Sequence, residues 1–372
     1  MTRYIYGVVC IVSMIVMGMV YSHYNHDGIT LISFSSQTAQ TAIVAAEKPI
    51  PSHLIIRSSA MGIWGDKFIN ALMLLAFPGH TFEWSAEKTP HLLVHSHFVE
   101  DQPVDHSLVH LPYIAWSGEP FTRNLQIFNK DPVLYIMSYE TRGRELLPNV
   151  PLLQIPYVTY GVLDANYRPD DILLWRPPYA TRLYLIAYAT SKCWTQREEM
   201  FRLLFERCPR GVLECHALGP CSNNMEDLRR KDPTAYEHIF PISRAPTYRN
   251  PYLFRNYRFT LVFENTDLEG YVTEKIVNAF KGNSIPIYFG GGGMIDQLFN
   301  PKAFIDARNF SSPEACADFV MQLSRDSDRL VQMYREPVFR DNLPPDSLRG
   351  LDSMQWKEVA RKLRQRVQAQ LP

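Results

Sequence analysis

The second half of the chain alternates apolar runs with amphipathic segments, and this rhythm constrains the fold more than any other feature. The runs at 182–190 and 257–265, RLYLIAYAT and YRFTLVFEN, have the apolar character of buried strands. A helical pattern follows each run, TQREEMFRLLFERC after the first and TEKIVNAFKG after the second. Two further apolar runs, VLECHAL and SIPIYFG, predict additional strands. Strand, helix and parallel strand in succession form right-handed crossovers. The pattern therefore predicts an α/β domain with a parallel sheet.

The first half shows the same alternation less regularly. HLIIR (53–57) predicts a strand and WGDKFINALMLLAF (64–77) a helix, and strand-like runs follow at TPHLLVHS, LPYIAWS and PVLYIMSY. Pro177-Pro178 interrupts both patterns, and 372 residues suit two domains. We therefore expect an N-terminal domain at 53–178, a C-terminal domain at 179–345 and an amphipathic helix within 346–372.

Composition narrows the class of protein further. With 46% hydrophobic and 20% charged residues, the chain can bury a full core, which excludes a disordered or fibrous protein. Its 38 basic residues balance 38 acidic ones, so the charge excess of a general nucleic-acid binder is missing. An anionic ligand would have to be bound by a local group of cations.

The N-terminus predicts a membrane anchor. No Asp, Glu, Lys or Arg occurs from Tyr4 to Tyr24, a length close to the ~20 residues that cross a bilayer. A cleaved signal peptide is the alternative, but no small-residue cleavage site follows closely. Arg3 precedes the span and Asp27 follows it, so the positive-inside rule places the body in a lumen or outside the cell. We expect tail and anchor at 1–27 and a stem at 28–52.

Cysteines and one sequon carry signals of an oxidising compartment. Beyond Cys10, five cysteines allow one or two disulfides and leave a thiol over, with pairings that spacing does not reveal; they are Cys193, Cys208, Cys215, Cys221 and Cys316. Buried free cysteines are the alternative. Asn309-Phe310-Ser311 is a glycosylation sequon, so Asn309 is an expected glycosylation site.

The stretch from 263 to 290 carries the most specific chemistry. A buried strand delivers Glu264 and Asn265 to its carboxyl end, where open α/β sheets bind ligands. Thr273 is the expected N-cap of the next helix, which places Glu274 and Lys275 in its first turn. Free amide groups and the positive end of the helix dipole there suit a diphosphate, and Glu274 suits a ribose or sugar hydroxyl. The alternative is an ordinary capped helix with a surface lysine.

This stretch resembles the donor-domain signature of the α1,3/α1,4-fucosyltransferases, glycosyltransferase family 10, which use GDP-fucose. The matching residues are Phe-Glu-Asn at 263–265, Tyr-Val-Thr-Glu-Lys at 271–275, Pro286-Ile287, Gly290 and FNPKAFIDARNF at 299–310. The resemblance is close from 258 to 310. It implies a GT-B arrangement, in which two Rossmann-like parallel-sheet domains face a cleft, with the acceptor half first.

The resemblance also implies roles for single residues. In SKCWTQREEM, Arg197 matches an arginine that contacts the GDP diphosphate, although the sequence alone predicts a solvated side chain. In IAWSGEP, Glu119 matches the proposed catalytic carboxylate, with a loop glutamate in water as the alternative. Tyr271 is expected to pack on guanine or ribose. Glu264 or Glu274 is expected to stabilise the oxocarbenium-like sugar.

The expected function is therefore inverting transfer of fucose from GDP-fucose to an oligosaccharide hydroxyl, with GlcNAc and an α1,3 linkage. The alternatives are another nucleotide-sugar donor, or a catalytically silent carbohydrate-binding membrane protein. We expect no required cofactor or metal, with Mn²⁺ stimulation inessential, and no nucleic-acid partner. In a eukaryotic secretory host the protein would be a single-pass type II Golgi membrane protein, in contact with the membrane through residues 4–24.

Two further motifs suggest an anion loop and a metal site. Gly290–Gly293 departs from the family pattern; its amides, those of Gly290 and Gly291 among them, could cradle phosphate or form a flexible turn. His95 and His97, with Asp101 and His106 nearby, have metal-ligand spacing, but paired core or cleft histidines are the alternative.

Two helical segments complete the prediction. Ser312-Pro313 begins a long helix through CADFVMQLSRDSDRLVQMY, and Asp326-Ser327-Asp328 falls on its solvated surface rather than in a metal site. In the last helix an apolar stripe, Met354, Val359, Leu363 and Val367, opposes a basic face. This helix could lie on an anionic membrane or pack its stripe on the body.

Overall fold

The computed structural model describes most of the chain from residue 49 onward and two short strands before it. The described residues are 20–25, 28–33, 49–59, 65–96, 105–117, 131–137, 149–150, 152–154, 182–209, 211, 213–231, 233–234, 250–340, 342–349 and 352–371. The chain divides into two compact units, Met1–Glu47 and Lys48–Pro372. The remaining residues carry no structural statement below.

In the first unit, β1 (Val20–Asn25) and β2 (Gly28–Ser33) pair antiparallel, with Asn25 opposite Gly28. The last residues of the predicted membrane helix, 20–24, therefore lie in a strand. Residues 1–19, the rest of the predicted anchor, lie outside the described residues. Among the described helices, none combines the length and apolar character needed to cross a bilayer.

The N-terminal half of the second unit is a six-stranded parallel sheet with one described α-helix. Its elements are β3 (His53–Ser59), α1 (Gly65–Ala76), β4 (Thr81–Trp84), β5 (Leu92–Ser96), β6 (Tyr113–Ser117), β7 (Leu134–Met137) and β8 (Leu152–Gln154). The strand order is β4-β3-β5-β6-β7-β8, with every pair parallel. The strands predicted at HLIIR, LLVHS, YIAWS and LYIM are confirmed, whereas the short β4 and β8 were missed.

The C-terminal half is a five-stranded parallel sheet flanked by helices. Its elements are β9 (Tyr184–Tyr188), α2 (Thr195–Arg207), β10 (Cys215–Ala217), α3 (Met225–Lys231), α4 (Asn250–Phe254), β11 (Tyr257–Phe263), α5 (Glu274–Lys281), β12 (Ile285–Phe289), α6 (Met294–Leu298), β13 (Ile305–Asp306), α7 (Pro313–Arg325), α8 (Ser327–Arg335) and α9 (Met354–Gln370). The strand order is β10-β9-β11-β12-β13. The chain thus contains two Rossmann-like parallel sheets, as predicted.

The long helix predicted after Ser312 is two helices, α7 and α8. Ser312 caps the start of α7 through Ala315 N, and Pro313 occupies the first turn, as expected. Asp326 then leaves helical geometry, with φ −96° and ψ 89°, and its side chain accepts a hydrogen bond from Arg329 N. An aspartate side chain that binds a backbone amide in this way favours the start of a new helix over the continuation of the old one. Asp326 therefore ends α7 and caps α8, and Asp326-Ser327-Asp328 lies at the boundary between the two helices.

The last helix, α9, packs on the N-terminal sheet domain although it follows the C-terminal one. Leu363 and Val367 are fully buried in the same hydrophobic core as Leu72 of α1. Trp356 is also buried there, whereas Met354, predicted on the apolar stripe, is 70% exposed. The stripe therefore contacts the body of the protein, and the basic face is the exposed one.

In both sheets the strand order reverses beside the first strand. From β3 the chain passes to β4 on one side and then to β5 on the other; from β9 it passes to β10 and then to β11. Open α/β sheets bind ligands at the carboxyl ends of the strands beside such a reversal. The two candidate positions are therefore the carboxyl ends of β3/β5 and of β9/β11.

Candidate donor site at the carboxyl end of the second sheet

Polar and charged residues meet at the carboxyl ends of β9 and β11. Strand β11 is buried along most of its length and ends at Phe263, so Glu264 and Asn265 follow directly. Arg197 reaches the same edge from the first turn of α2, and Lys275 from the first turn of α5. The structure thus brings together four of the predicted donor-site residues.

Glu264 organises this site from the interior. Its side chain is fully buried, and its carboxylate accepts a hydrogen bond from Thr273 N at 2.7 Å. The Thr273 hydroxyl lies 2.9 and 2.8 Å from the two carboxylate oxygens, and the Tyr288 hydroxyl donates at 3.2 Å. The contacts with Thr273 hold the start of α5 against the sheet, and the contact with Tyr288 joins the end of β11 to β12. The expected contact of Glu264 with the sugar is therefore replaced by a positioning role, because its oxygens are already used inside.

Lys275 is held by that carboxylate. Its Nζ lies 3.1 Å from Glu264 Oε2 and donates to the Thr273 hydroxyl at 2.8 Å, while Glu274 is 3.9 Å away. Burial is the largest single effect and lowers the pKa of Lys275, but the charges of Glu264 and Glu274 and the hydrogen bond to Glu264 together outweigh it, and the net pKa is raised. Lys275 therefore stays protonated. Thr273 is the N-cap of α5, as predicted, since its hydroxyl accepts from Lys275 N.

Arg197 is the most buried cation of the site, at 2% exposure. Its Nε donates to Phe263 O at 2.9 Å and one terminal nitrogen donates to Asn265 Oδ1 at 2.6 Å. The other donates to Thr190 Oγ1 and Lys192 O, each at 3.3 Å. These acceptors are all neutral, and no carboxylate within the described ranges lies at ion-pair distance from this guanidinium. The interpretation of Arg197 as a solvated residue is therefore wrong, and burial lowers its pKa.

A disulfide fixes the segment that precedes α2. Cys193 is bonded to Cys221, which follows β10, and Cys208 to Cys215. Cys316 is a buried free thiol. The prediction of one or two bridges with a thiol left over is confirmed. The first bridge lies next to Lys192, whose carbonyl accepts from Arg197, so it helps to fix the guanidinium.

The glycine run after β12 serves close packing. Gly290, Gly291 and Gly292 all have positive φ, and a Cβ on Gly290 would lie 2.7 Å from the Cβ of Glu264. Gly292 N donates to Asp267 Oδ1 at 2.9 Å and Gly293 N to Glu269 Oε2 at 2.6 Å. Carboxylates thus occupy two of the amides that were considered for phosphate, and a phosphate there would have to displace them.

Tyr271 and Glu274 lie at the same site with different access. Tyr271 is 2% exposed and its hydroxyl accepts from Asn265 Nδ2 at 3.4 Å. Stacking of this ring on a nucleotide, as expected, would require the side chain to move, because packing already covers it. Glu274 has a 39% exposed side chain, so it remains accessible to a ligand hydroxyl.

Several predicted residues lie elsewhere. Glu119, His97 and Asp101 lie outside the described residues, whereas His95 is buried at the end of β5, and burial lowers its pKa. Asn309 is exposed at the end of a short 3₁₀ helix, Ala307–Asn309. Cys193, Glu198 and Cys221 form the one metal-type cluster within the part of the chain that the structure describes, and both cysteines are in the disulfide.

Sequence reasoning missed Tyr288 and Arg308. Tyr288 lies on β12, 24 residues from Glu264, and nothing near it in the sequence marks a partner. Arg308 donates to Asp306 Oδ2 at 2.6 Å and to Gly292 O at 2.6 Å, which ties the glycine turn to the end of β13. Arg308 belongs to the segment FNPKAFIDARNF, which the family resemblance includes. Its partner Gly292 lies 16 residues earlier in the sequence, so the motif did not predict this contact.

The fold and the site define a class of protein first: a two-sheet, GT-B-like glycosyltransferase fold. Solved structures titled as alpha1,3-fucosyltransferase share it. One, with GDP, has a TM-score of 0.58 at 17% identity and covers 85% of this chain and 91% of that chain. Another, with GDP-fucose, has a TM-score of 0.54 at 18% identity and covers 87% and 92%. At this identity the likeness establishes the fold alone.

A family model matches part of the sequence. Residues 180–341, less than half of the chain, match the model described as glycosyltransferase family 10 (fucosyltransferase) C-term. The match includes β9 to β13 and the whole site described above. The predicted family resemblance is thereby confirmed.

Curated relatives cover different shares of the chain. An alpha-(1,4)-fucosyltransferase of Arabidopsis thaliana is 30% identical over 40% of this chain and 36% of its own length. An alpha-(1,3)-fucosyltransferase FucT of Helicobacter pylori is 32% identical over 32% of this chain and 26% of its own length. GDP-fucose protein O-fucosyltransferase 3 of Homo sapiens is 30% identical over 61% of this chain and 44% of its own length. The matches thus span less than half of these relatives.

Proposed function

We propose that this protein is an inverting fucosyltransferase that transfers fucose from GDP-fucose to a hydroxyl of an oligosaccharide, with GlcNAc and an α1,3 linkage. The observation that carries the proposal is Arg197, a buried cation with neutral partners, beside Lys275 at the strand-order reversal. A nucleoside diphosphate would supply the anionic partner that the Arg197 guanidinium does not have among the described residues. The family of residues 180–341 and the names of the relatives favour GDP-fucose as the donor.

In this reaction the bond between the anomeric carbon and GDP breaks as the acceptor oxygen attacks from the opposite face. Lys275, Arg197 and the free amides at the start of α5 would stabilise the charge that develops on the departing GDP. Glu264 keeps the ammonium of Lys275 in place and protonated. Asn265, which binds the Arg197 guanidinium, fixes the second cation.

The acceptor proton needs a base, and Glu119 is our assignment. It follows β6 by two residues, and the carboxyl end of β6 lies next to that of β5 in the N-terminal sheet. A carboxylate there would remove the proton from the acceptor hydroxyl while the new glycosidic bond forms. Glu274, which is accessible, is assigned to a ribose hydroxyl or to the oxocarbenium-like sugar.

A protein hydroxyl is the second candidate acceptor. The relative named GDP-fucose protein O-fucosyltransferase 3 matches 61% of this chain, against 40% and 32% for the relatives named alpha-(1,4)-fucosyltransferase and alpha-(1,3)-fucosyltransferase FucT. The donor chemistry would be the same and only the N-terminal half would have to differ. For either acceptor we propose a Golgi membrane protein of type II topology, glycosylated at Asn309.

The purified full-length chain tests the proposal. It would be incubated with GDP-fucose, GDP-mannose or a UDP-sugar, with N-acetyllactosamine or a folded protein acceptor, and nucleotide release would be measured. We expect GDP release from GDP-fucose, increased by one acceptor, and full activity in EDTA. Release from another donor would change the substrate, and release from none would favour a silent carbohydrate-binding protein. Complete loss in EDTA would contradict metal independence.

A further inference from the structure

A small cavity lies between the carboxyl ends of β9 and β11, behind the candidate donor site. Arg197 and Lys275 line it together with Thr190, Asn250 and Asn278. Its apolar walls come from β11 and α4. The volume of about 20 Å³ holds roughly one water molecule or one oxygen atom of a ligand.

Asn278 is the unexplained residue of this cavity. It is 8% exposed, and its side-chain amide has no hydrogen-bond partner among the residues that the structure describes. It lies three residues after Lys275, so both side chains are on one face of α5, one turn apart. Because Asn278 lines the cavity, its amide N–H can donate to a ligand atom that enters there.

The charges around the cavity identify the ligand atom. Glu264 and Glu274 lie within ion-pair distance of Lys275, whereas Arg197 makes its hydrogen bonds to neutral acceptors only. An anionic oxygen suits this guanidinium, and an aromatic base does not fit the volume. An amide N–H and a guanidinium together favour a phosphoryl oxygen over a neutral hydroxyl.

We propose that Asn278 donates a hydrogen bond to a diphosphate oxygen of the nucleotide donor, which enters the cavity between Arg197 and Lys275. The inference rests on the proposed function and adds a donor-binding residue to it. Asn278 lies deeper in the domain than Lys275, because α5 runs away from the carboxyl ends of the strands. It therefore sets how far the diphosphate enters.

The test compares nucleotide binding with the stability of the free protein. Asn278→Leu keeps the shape and removes the donor, and Asn278→Asp keeps the shape and adds a negative charge. We expect the Kd values of GDP and of inorganic pyrophosphate to rise about tenfold in the leucine variant, and further in the aspartate variant. The Tm of the ligand-free leucine variant should stay the same or rise, because an unpaired amide has been removed. Lys281→Ala, in the last turn of α5, is the matched control and should change neither quantity.

Three results would overturn the inference while leaving the proposed function intact, and a fourth would overturn both. Wild-type affinity in the Asn278 variants would remove the contact while leaving the proposed function intact. A parallel loss of Tm and of affinity would assign Asn278 a structural role, with Asn278→Ser as the milder variant should leucine prevent folding. Weaker GDP binding with unchanged pyrophosphate binding would move the contact to the nucleoside. A wild-type chain that binds no GDP would instead overturn the proposed function, and this inference with it.

Discussion

The two halves of the second unit share an architecture and differ in the chemistry at the ends of their strands. Both are parallel sheets whose strand order reverses beside the first strand. At the reversal of the C-terminal sheet, Arg197, Glu264 and Lys275 form a buried charged group. At the described strand ends of the N-terminal sheet, the buried polar residues are His95 and Ser117. Burial lowers the pKa of His95, which favours the neutral imidazole, and the serine hydroxyl carries no charge.

This difference shows how one fold provides two kinds of site. The charged edge has the chemistry for the diphosphate of the proposed donor, and the N-terminal edge is the one to which we assign the acceptor and its base. Helix α9 adds a second difference, since it closes the core of the N-terminal half from the far end of the chain. Each prediction below perturbs one half and uses the other for comparison.

Removal of the buried carboxylate should strongly destabilise the C-terminal half. Glu264→Ala leaves Lys275 without its anion and creates a cavity, so we expect a loss of about 3 kcal/mol in unfolding free energy. Denaturant unfolding measures it. Glu274→Ala, which removes an exposed carboxylate 3.9 Å from the same lysine, should cost under about 1 kcal/mol. Equal losses in the two variants would contradict the buried role of Glu264.

Loss of either functional charge should lower turnover. Lys275→Ala and Glu119→Ala should each lower turnover about 10²- to 10³-fold. The lysine variant should also lose stability, because Glu264 is left buried without its cation, whereas the Tm of the glutamate variant should stay close to wild type. The affinity for GDP, measured by calorimetry, distinguishes the two variants. GDP affinity should fall in the Lys275 variant, whose substitution lies in the C-terminal half, and should be unchanged in the Glu119 variant. Near-normal turnover of either variant would remove its assigned role.

The contact of α9 with the N-terminal core predicts a large effect from a residue far from both sites. Leu363 is fully buried, so Leu363→Ala should cost about 2–5 kcal/mol in unfolding free energy. Lys362→Ala, next to it on the exposed face, should change stability by less than about 0.5 kcal/mol. GDP affinity should be unchanged in both. An unaffected Leu363 variant would show that α9 does not close this core in solution.

The smallest effect is the pH dependence of the N-terminal half. Burial lowers the pKa of His95 below its ordinary value, so the folded state favours the neutral imidazole. Stability from this group is present above the unfolded pKa of about 6.5 and is lost as pH falls through the folded value. Denaturation at pH 7 and pH 5 should show a smaller loss for His95→Gln than for wild type. An identical loss would assign the acid sensitivity to other groups, of which buried His216 is one.

The sequence by itself determined the features that depend on neighbouring residues. The alternation of apolar runs and amphipathic segments indicated two parallel sheets, and Thr273 followed by Glu274 and Lys275 indicated a capped helix start with a lysine in its first turn. Hydrophobic period and capping are encoded within a few residues, so they are readable without a structure. The family motif added Arg197 to the site in the same way.

Only the tertiary structure decided burial and charge pairing. Arg197 is buried because Asn265, 68 residues later, and Phe263 accept its hydrogen bonds, and Glu264 is occupied because Tyr288 and the glycine turn approach it. In the same way α9 joins a core built from residues nearly 300 positions earlier, and Met354 is left outside it. These contacts join residues that are distant in the chain, and local propensity carries no information about which distant groups will neutralise or cover them.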